Sequence, residues 1–281
     1  MKRFYFYAVA RALSRVLPKP AAAALAKGAA ALYGNFFSKD LPAIQSNLRA
    51  VLPAGSDTQK ESRALIASFF LYFVDLFYGR SLSAEWIEKK VRITGRPYLD
   101  EALARKKGVI LVSGHVGNWE LGGMVLAALG YRLHGIAIEH ADKRIERIFR
   151  DRRARHGLGV IPHHSPARRY FEVLNKNEIL ALNADRLFRG EGVPADFLGR
   201  RVFFPGGFPR IAASSGAPVV PVFFVSTPDG GYELDIQEPI PLSTTEEMVQ
   251  NFASRLEKKI KQRPRQWFIF EPFWEPPRWP V

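Results

Sequence analysis

A histidine and a glutamate stand close together in the segment Ser113-Gly-His-Val-Gly-Asn-Trp-Glu120. An imidazole can take a proton from a hydroxyl near neutral pH, and a neighbouring carboxylate can hold the ring in one tautomer and stabilise the imidazolium that forms. His115 and Glu120 are therefore read as a base and its orienter. One chemistry open to such a pair is acyl transfer to a hydroxyl, in which the imidazole takes the proton as the oxygen attacks a thioester carbonyl and no covalent acyl-enzyme is required. Ser113 is expected on the opposite side of the chain from His115 and is not taken as a nucleophile. The chain has no cysteine, so thiolate catalysis and thiolate metal sites are excluded. A histidine at a strand end is, on spacing alone, more often structural.

The elements around the pair have to place it. Residues 108–113 (Gly-Val-Ile-Leu-Val-Ser) read as a buried strand and residues 118–129 as the helix that follows, closed by Gly130. The pair thus sits where a strand ends and a helix begins, the position at which open α/β sheets bind ligands and at which a helix N-terminus offers a positive field. Further strands are expected at 133–138, 158–161, 178–183 and 218–225, with an antiparallel partner at 232–236. Helices are expected at 143–156, 166–176, 208–215 and 245–262, and an irregular basic loop at 184–206. This alternation is an α/β pattern. Residues 57–78 form an earlier helix with Asp57 as N-cap and a face of Leu65, Phe69, Phe70, Phe73 and Phe77, expected to pack in the core. Residues 1–37 are expected to form one or two interfacial helices. Arg11 and Arg15 interrupt the apolar run a signal peptide needs, and Pro18 and Pro20 break it early. The expected organisation is a helical membrane-associating portion over 1–80 and an α/β core over 81–281, forming one integrated domain.

The formal net charge of +14 implies an acidic partner, whether nucleic acid, an anionic membrane, a phosphorylated substrate or an acidic protein, and charge alone does not choose among them; no apolar stretch is long enough for a spanning helix. The basic helix at 143–156 carries Arg144 and Arg153, read as contacts for phosphate groups of a substrate or for an acidic partner. Asp185, Arg186 and Arg189 follow another strand and are expected on the same rim as His115, with Asp185 also able to cap the next turn and the arginines to meet phosphate or oxyanion. Asn118 and Arg200 complete the substrate-binding candidates. His140, His156, His163 and His164 lack carboxylates at metal-ligand spacing, so no metal and no cofactor is expected. No nucleic-acid recognition motif is present, and no nucleic-acid partner is expected.

His115-Val-Gly-Asn-Trp-Glu120 resembles the HX4E signature of the bacterial lipid A late acyltransferases. Asn47-Leu-Arg, Asp185 with Gly190, Gly192 and Val193, Phe197-Leu-Gly-Arg200, Pro205-Gly206, Ser215-Gly-Ala-Pro-Val-Val-Pro-Val222 and Arg265-Gln-Trp267 resemble further blocks of that family in the same order. The resemblance implies a glycerolphosphate-acyltransferase-like mixed sheet flanked by helices, with a helical membrane-associating N-terminal portion. It implies His115 as general base with Glu120 as partner, and an acyl carrier protein as the usual donor, with acyl-CoA the alternative. A glycolipid acceptor and an anionic membrane surface are the other implied partners. The implied location is the cytoplasmic face of the inner membrane, held peripherally or monotopically.

The chain departs from the family at Ile138-Glu-His140, where Tyr-Arg-Pro is common, and at Asp185-Arg-Leu187, where Asp-Gln-Asp is frequent. Both departures fall where acceptor contacts are expected and widen the acceptor to other glycolipids or aminolipids. The lysophospholipid and glycerol-phosphate acyltransferases are a neighbouring reading, but Phe204-Pro-Gly-Gly207 is only a partial echo of their Phe-Pro-Glu-Gly-Thr block. A non-enzymatic basic membrane-binding protein is the alternative of another class, and it predicts binding without turnover.

Overall fold

Val109–Ser113 forms the strand β2 around which the sheet is organised in the computed structural model of the chain; its first four residues are essentially inaccessible. The structure describes residues 2–34, 39–78, 82–187 and 192–274, apart from the side chains of residues 2–6. Arg189 and Gly190 lie outside the described residues, as do the side chains of Phe4, Tyr5 and Phe6.

In chain order the elements are α1 (Lys2–Val16), α2 (Lys19–Leu32), α3 (Leu41–Arg49), α4 (Thr58–Tyr78), α5 (Ala84–Lys90), β1 (Val91–Thr94), α6 (Arg96–Ala104), β2, α7 (Trp119–Ala128), β3 (Leu133–Ala137), α8 (Lys143–Arg155), β4 (Gly159–Pro162), α9 (Arg168–Asn175) and β5 (Ile179–Asn183). They continue as β6 (Val193–Phe197), β7 (Arg200–Phe204), α10 (Gly207–Ser215), β8 (Val219–Ser226), β9 (Tyr232–Ile236) and α11 (Thr245–Gln262). Seven strands form one sheet in the order β1-β9-β8-β2-β5-β3-β4. β2, β3, β4, β5 and β8 run parallel, and β9 turns back antiparallel on β8. The chain is therefore a mixed α/β protein with a mostly parallel central sheet flanked by helices.

Alternate residues of the central strands feed two cores. Val109, Leu111, Val220 and Phe224 face α4, α6, α7 and α8 on one side. Ile110, Val112, Val219 and Phe223 face α9, α10 and α11 on the other. Both faces are covered, which is why the parallel strands read as continuous apolar runs. The N-terminal helices share the first core through Ala30, Ile44, Leu65 and Phe73. Among the described residues no helix is long and apolar enough to cross a membrane.

One sequence expectation is corrected, and one stretch with no expected elements is filled. The stretch 184–206 is not all irregular: β6 and β7 form an antiparallel hairpin turned at Leu198-Gly199, with Val193, Ala195 and Phe197 facing inward. Pro194 and the interspersed charges mask that alternation, and a proline is tolerated because this ribbon has only two strands. Residues 81–107 carry α5, β1 and α6. β1 pairs with β9 at the far edge of the sheet, a long-range partnership with no local periodicity to signal it.

The His115 segment is clamped on both sides. Gly117 N–H donates to the Gln266 carbonyl and Asn118 N–H to the Phe224 carbonyl, while the His115 carbonyl accepts from Phe268 N–H. The 266–268 strip is itself held, because Arg265 forks onto Glu61 of α4 at 2.6 and 2.7 Å and Asn47 of α3 donates to the Glu271 carbonyl at 2.9 Å. Gly117 has φ +68°, and a Cβ there would come within 2.0 Å of the Phe224 carbonyl oxygen. Gly117→Ala is expected to lower unfolding free energy by more than about 2 kcal/mol. Denaturant titration checks this, and an unchanged midpoint would show that the loop is not held this way.

Candidate functional site

β2 and β5 are parallel neighbours in the register Ser113↔Asn183, so residues two beyond each strand end come together. Asp185 consequently reaches His115. Its Oδ1 lies 2.6 Å from His115 Nδ1 and its Oδ2 accepts the His115 backbone N–H at 2.6 Å. A carboxylate oxygen beside Nδ1 makes that nitrogen the donor, which leaves Nε2 with its lone pair available. Asp185 is 1% exposed, whereas the His115 side chain retains access to the cavity beside it. A Cβ on Gly114 would meet the Asp185 carboxylate at 3.0 Å, so the small residue makes room for the pair. The Trp119 ring meets the imidazole edge to face with centroids 4.9 Å apart.

The orienting role expected for Glu120 is thus corrected: the carboxylate on the imidazole belongs to Asp185. Glu120 instead receives a two-pronged ion pair from Arg153 of α8, with Nε 2.9 Å from Oε2 and a second contact between Arg153 Nη2 and Glu120 Oε1. The physical reason is direction. In the first turn of α7 the Glu120 side chain leans toward α8, while the parallel register delivers Asp185 directly beneath the ring. Arg153 is buried, which disfavours its charge, but the Glu120 carboxylate outweighs that and holds its pKa above the ordinary value. The nearby His140 ring is pushed below its ordinary pKa mainly by burial, and it packs on Phe149 at 4.8 Å.

These groups surround a cavity of about 350 Å³. His115, Glu120, His140, Arg153 and Arg186 supply polar lining around the carboxyl ends of the strands. Leu111, Leu126, Leu133, Leu158, Val222 and Phe224 line it between α7 and the sheet. Ser113 lines the same cavity, contrary to the expectation that it points away. A pocket that is apolar in its body and polar where reactive groups converge suits a molecule with a long apolar part and a reactive polar end.

The other candidates separate. Arg186 lines the cavity and pairs with Glu271. Asn118 does not line it: its Oδ1 accepts the Leu121 N–H, capping α7, and its Nδ2 donates to the Tyr72 carbonyl. Arg144 forks onto Asp142 at the start of α8, and Arg200 lies over the Trp274 ring on the distant hairpin, so neither reaches the cavity. Among the described residues no cluster of His, Cys, Asp and Glu is arranged to hold a metal. Sequence reasoning placed Asp185 near the site but not on the imidazole, because strand register leaves no local signal. It also missed the apolar cavity, whose lining comes from six strands, two helices and the loops between them.

Residues 1–275 match the family described as "Bacterial lipid A biosynthesis acyltransferase". The chain is 26% identical over 240 residues to a phosphatidylinositol mannoside acyltransferase of Mycobacterium tuberculosis strain H37Rv, covering 82% of this chain and 76% of the relative. It is likewise 26% identical over 221 residues to the Mycolicibacterium smegmatis protein of the same name, at 75% and 71% coverage. It is 22% identical over 241 residues to a lipid A biosynthesis acyltransferase of Haemophilus influenzae, at 83% and 75% coverage.

Removing Glu120 alone leaves Arg153 buried and unpaired. Glu120→Ala is expected to cost about 3–5 kcal/mol of stability, and a Glu120→Leu, Arg153→Met double variant to recover most of it. Thermal and denaturant unfolding of the three proteins checks this; a double variant as unstable as the single one would rule the ion pair out as the cause.

Proposed function

Because this chain belongs to the bacterial lipid A biosynthesis acyltransferase family, and is an acyltransferase acting in glycolipid synthesis, we propose that it moves a fatty acyl chain from a thioester to a hydroxyl of a glycolipid with His115 as general base. The observation that carries this reading is the His115–Asp185 pair beside an apolar cavity. The acyl chain lies in the cavity with its thioester carbonyl near His115. His115 Nε2 takes the acceptor hydroxyl proton as the oxygen attacks that carbonyl, and Asp185 stabilises the imidazolium. The tetrahedral intermediate collapses with loss of the thiolate, which receives the proton back from the imidazolium. Arg186 is the cation placed to meet developing negative charge. Glu120 and Arg153 act together, fixing α8 against α7 along the acceptor side.

The donor is an acyl carrier protein, with acyl-CoA the alternative. Arg147, Arg150 and Arg155 are exposed on α8 and form no ion pair among the described residues, so this helix offers an acidic carrier a positive approach. The acceptor is a sugar hydroxyl of a membrane glycolipid, either a lipid A precursor or a phosphatidylinositol mannoside-like lipid. The protein lies peripherally on an anionic membrane surface at the cytoplasmic face of the inner membrane. Val9, Val16, Leu25 and Leu32 are exposed on α1 and α2 beside the exposed Arg15 and Lys27, a mixture suited to the headgroup boundary.

The test incubates wild type, His115→Ala and Asp185→Asn with labelled acyl carrier protein or acyl-CoA and a total lipid extract from the native host, and resolves acylated products by mass spectrometry. Wild type is expected to make an acylated glycolipid. His115→Ala is expected to lower the rate by about 10²–10⁴-fold, and Asp185→Asn to lower kcat by at least about 10²-fold with little change in KM. Undiminished transfer without His115 would overturn the general-base assignment.

A further inference from the structure

Four glycines line the cavity, and they are not equivalent. A Cβ at Gly122 would meet Phe224 at 2.6 Å, one at Gly123 would meet Leu158 at 3.3 Å, and one at Gly159 would meet the His134 ring at 2.2 Å. At Gly122 and Gly159 protein already fills the space, and at Gly123 the Leu158 side chain is in tight contact. Gly135 is different: a Cβ built there meets nothing within 4 Å.

Gly135 occupies the middle of β3, between β5 and β4. Its φ lies outside the positive range, so the backbone does not demand glycine. A glycine inside a strand weakens it and commonly marks a place where a ligand comes close. The strand is also accessible where a central parallel strand should be buried: beyond Leu133 every residue of β3 is partly exposed, as are Ala181, Leu182 and Asn183 of β5. Of these, Gly135, Ile136 and Ala137 of β3 and Ala181, Leu182 and Asn183 of β5 line the cavity. Leu111, Ala181 and Gly135 stand in register across β2, β5 and β3, one pleat repeat below the row that begins with Ser113. Successive rows on one sheet face are roughly 7 Å apart. Gly135 is thus well below His115, among the apolar lining of the cavity.

We propose that the missing side chain at Gly135 sets the length of the acyl chain this protein accepts, by leaving open the part of the cavity that the distal methylenes of the chain occupy. The inference rests on the reading that the cavity holds the acyl group. A side chain at residue 135 projects into that space and excludes methylenes in proportion to its size. One methylene more or less in an apolar pocket changes selection by about ten-fold or more.

The test uses the full chain as wild type, Gly135→Ala, Gly135→Val and Gly135→Leu. Each competes a mixture of saturated acyl thioesters of graded length for transfer, and each is also melted with saturated fatty acids of the same lengths. The preferred product is expected to shorten in the order Gly, Ala, Val, Leu, with about a ten-fold loss per excluded methylene for long donors and an unimpaired rate for short ones. The fatty-acid length that raises Tm most is expected to shorten in the same order. Loss of rate equally for all lengths, or an unchanged length profile in both measurements, overturns the assignment. If wild type transfers nothing but the stabilising length still shortens across the variants, the chain-length role stands and the transferase reading is what fails. Alanine adds only one methyl group, so a shift in that variant cannot be ascribed to misfolding.

Discussion

Two parallel strands of equal reach place an acid under a base, and much of the molecule serves to keep them there. Asp185 accepts from both the ring and the backbone of His115, so the carboxylate fixes the imidazole and the loop that carries it. A buried carboxylate is tolerable only when hydrogen-bonded, and these two bonds supply that condition. The loop is in turn anchored by Phe224 of β8 and by the strip from Gln266 to Phe268, which α3 and α4 hold through Asn47 and Glu61. Elements from the whole length of the chain therefore converge on one short segment. The motif blocks near residues 47 and 265 acquire a physical explanation from this: they brace the His115 loop.

The second constraint is space. A parallel sheet covered on both faces ordinarily leaves none, yet the carboxyl halves of β3 and β5 remain accessible beneath α7. The opening is kept by small residues on the sheet and by the Glu120–Arg153 pair, which ties α8 to α7 from the side. On the opposite face, α9, α10 and α11 pack tightly over Ile110, Val112 and Phe223. One face of the sheet is thus a core and the other is part core, part vessel. This asymmetry separates the reactive groups at the strand ends from an apolar interior.

The histidine, its position at a strand-to-helix junction and most elements between residues 108 and 262 were legible in the sequence, because each depends on local periodicity, caps and turn residues. α11 coincides with the expected 245–262, where Thr244 and Glu247 form a reciprocal cap, and β9 coincides with 232–236. The hairpin of β6 and β7 was not legible, since its inward residues are separated by a proline and charges that read as loop. Asn118 could be seen at a helix start, but that its amide is used up by the Leu121 N–H and the Tyr72 carbonyl, away from the cavity, could not.

What the sequence by itself determined was the residue types available for proton transfer and the local elements on which they ride. What only tertiary structure decided was which carboxylate meets the imidazole. Glu120 is close to His115 in sequence and Asp185 is far away, but helix geometry aims the first at α8 and strand register brings the second under the ring. Register is a property of two strands together, and the cavity is a property of several strands and helices together. Neither is encoded in any one segment, because both arise from how separate segments pack.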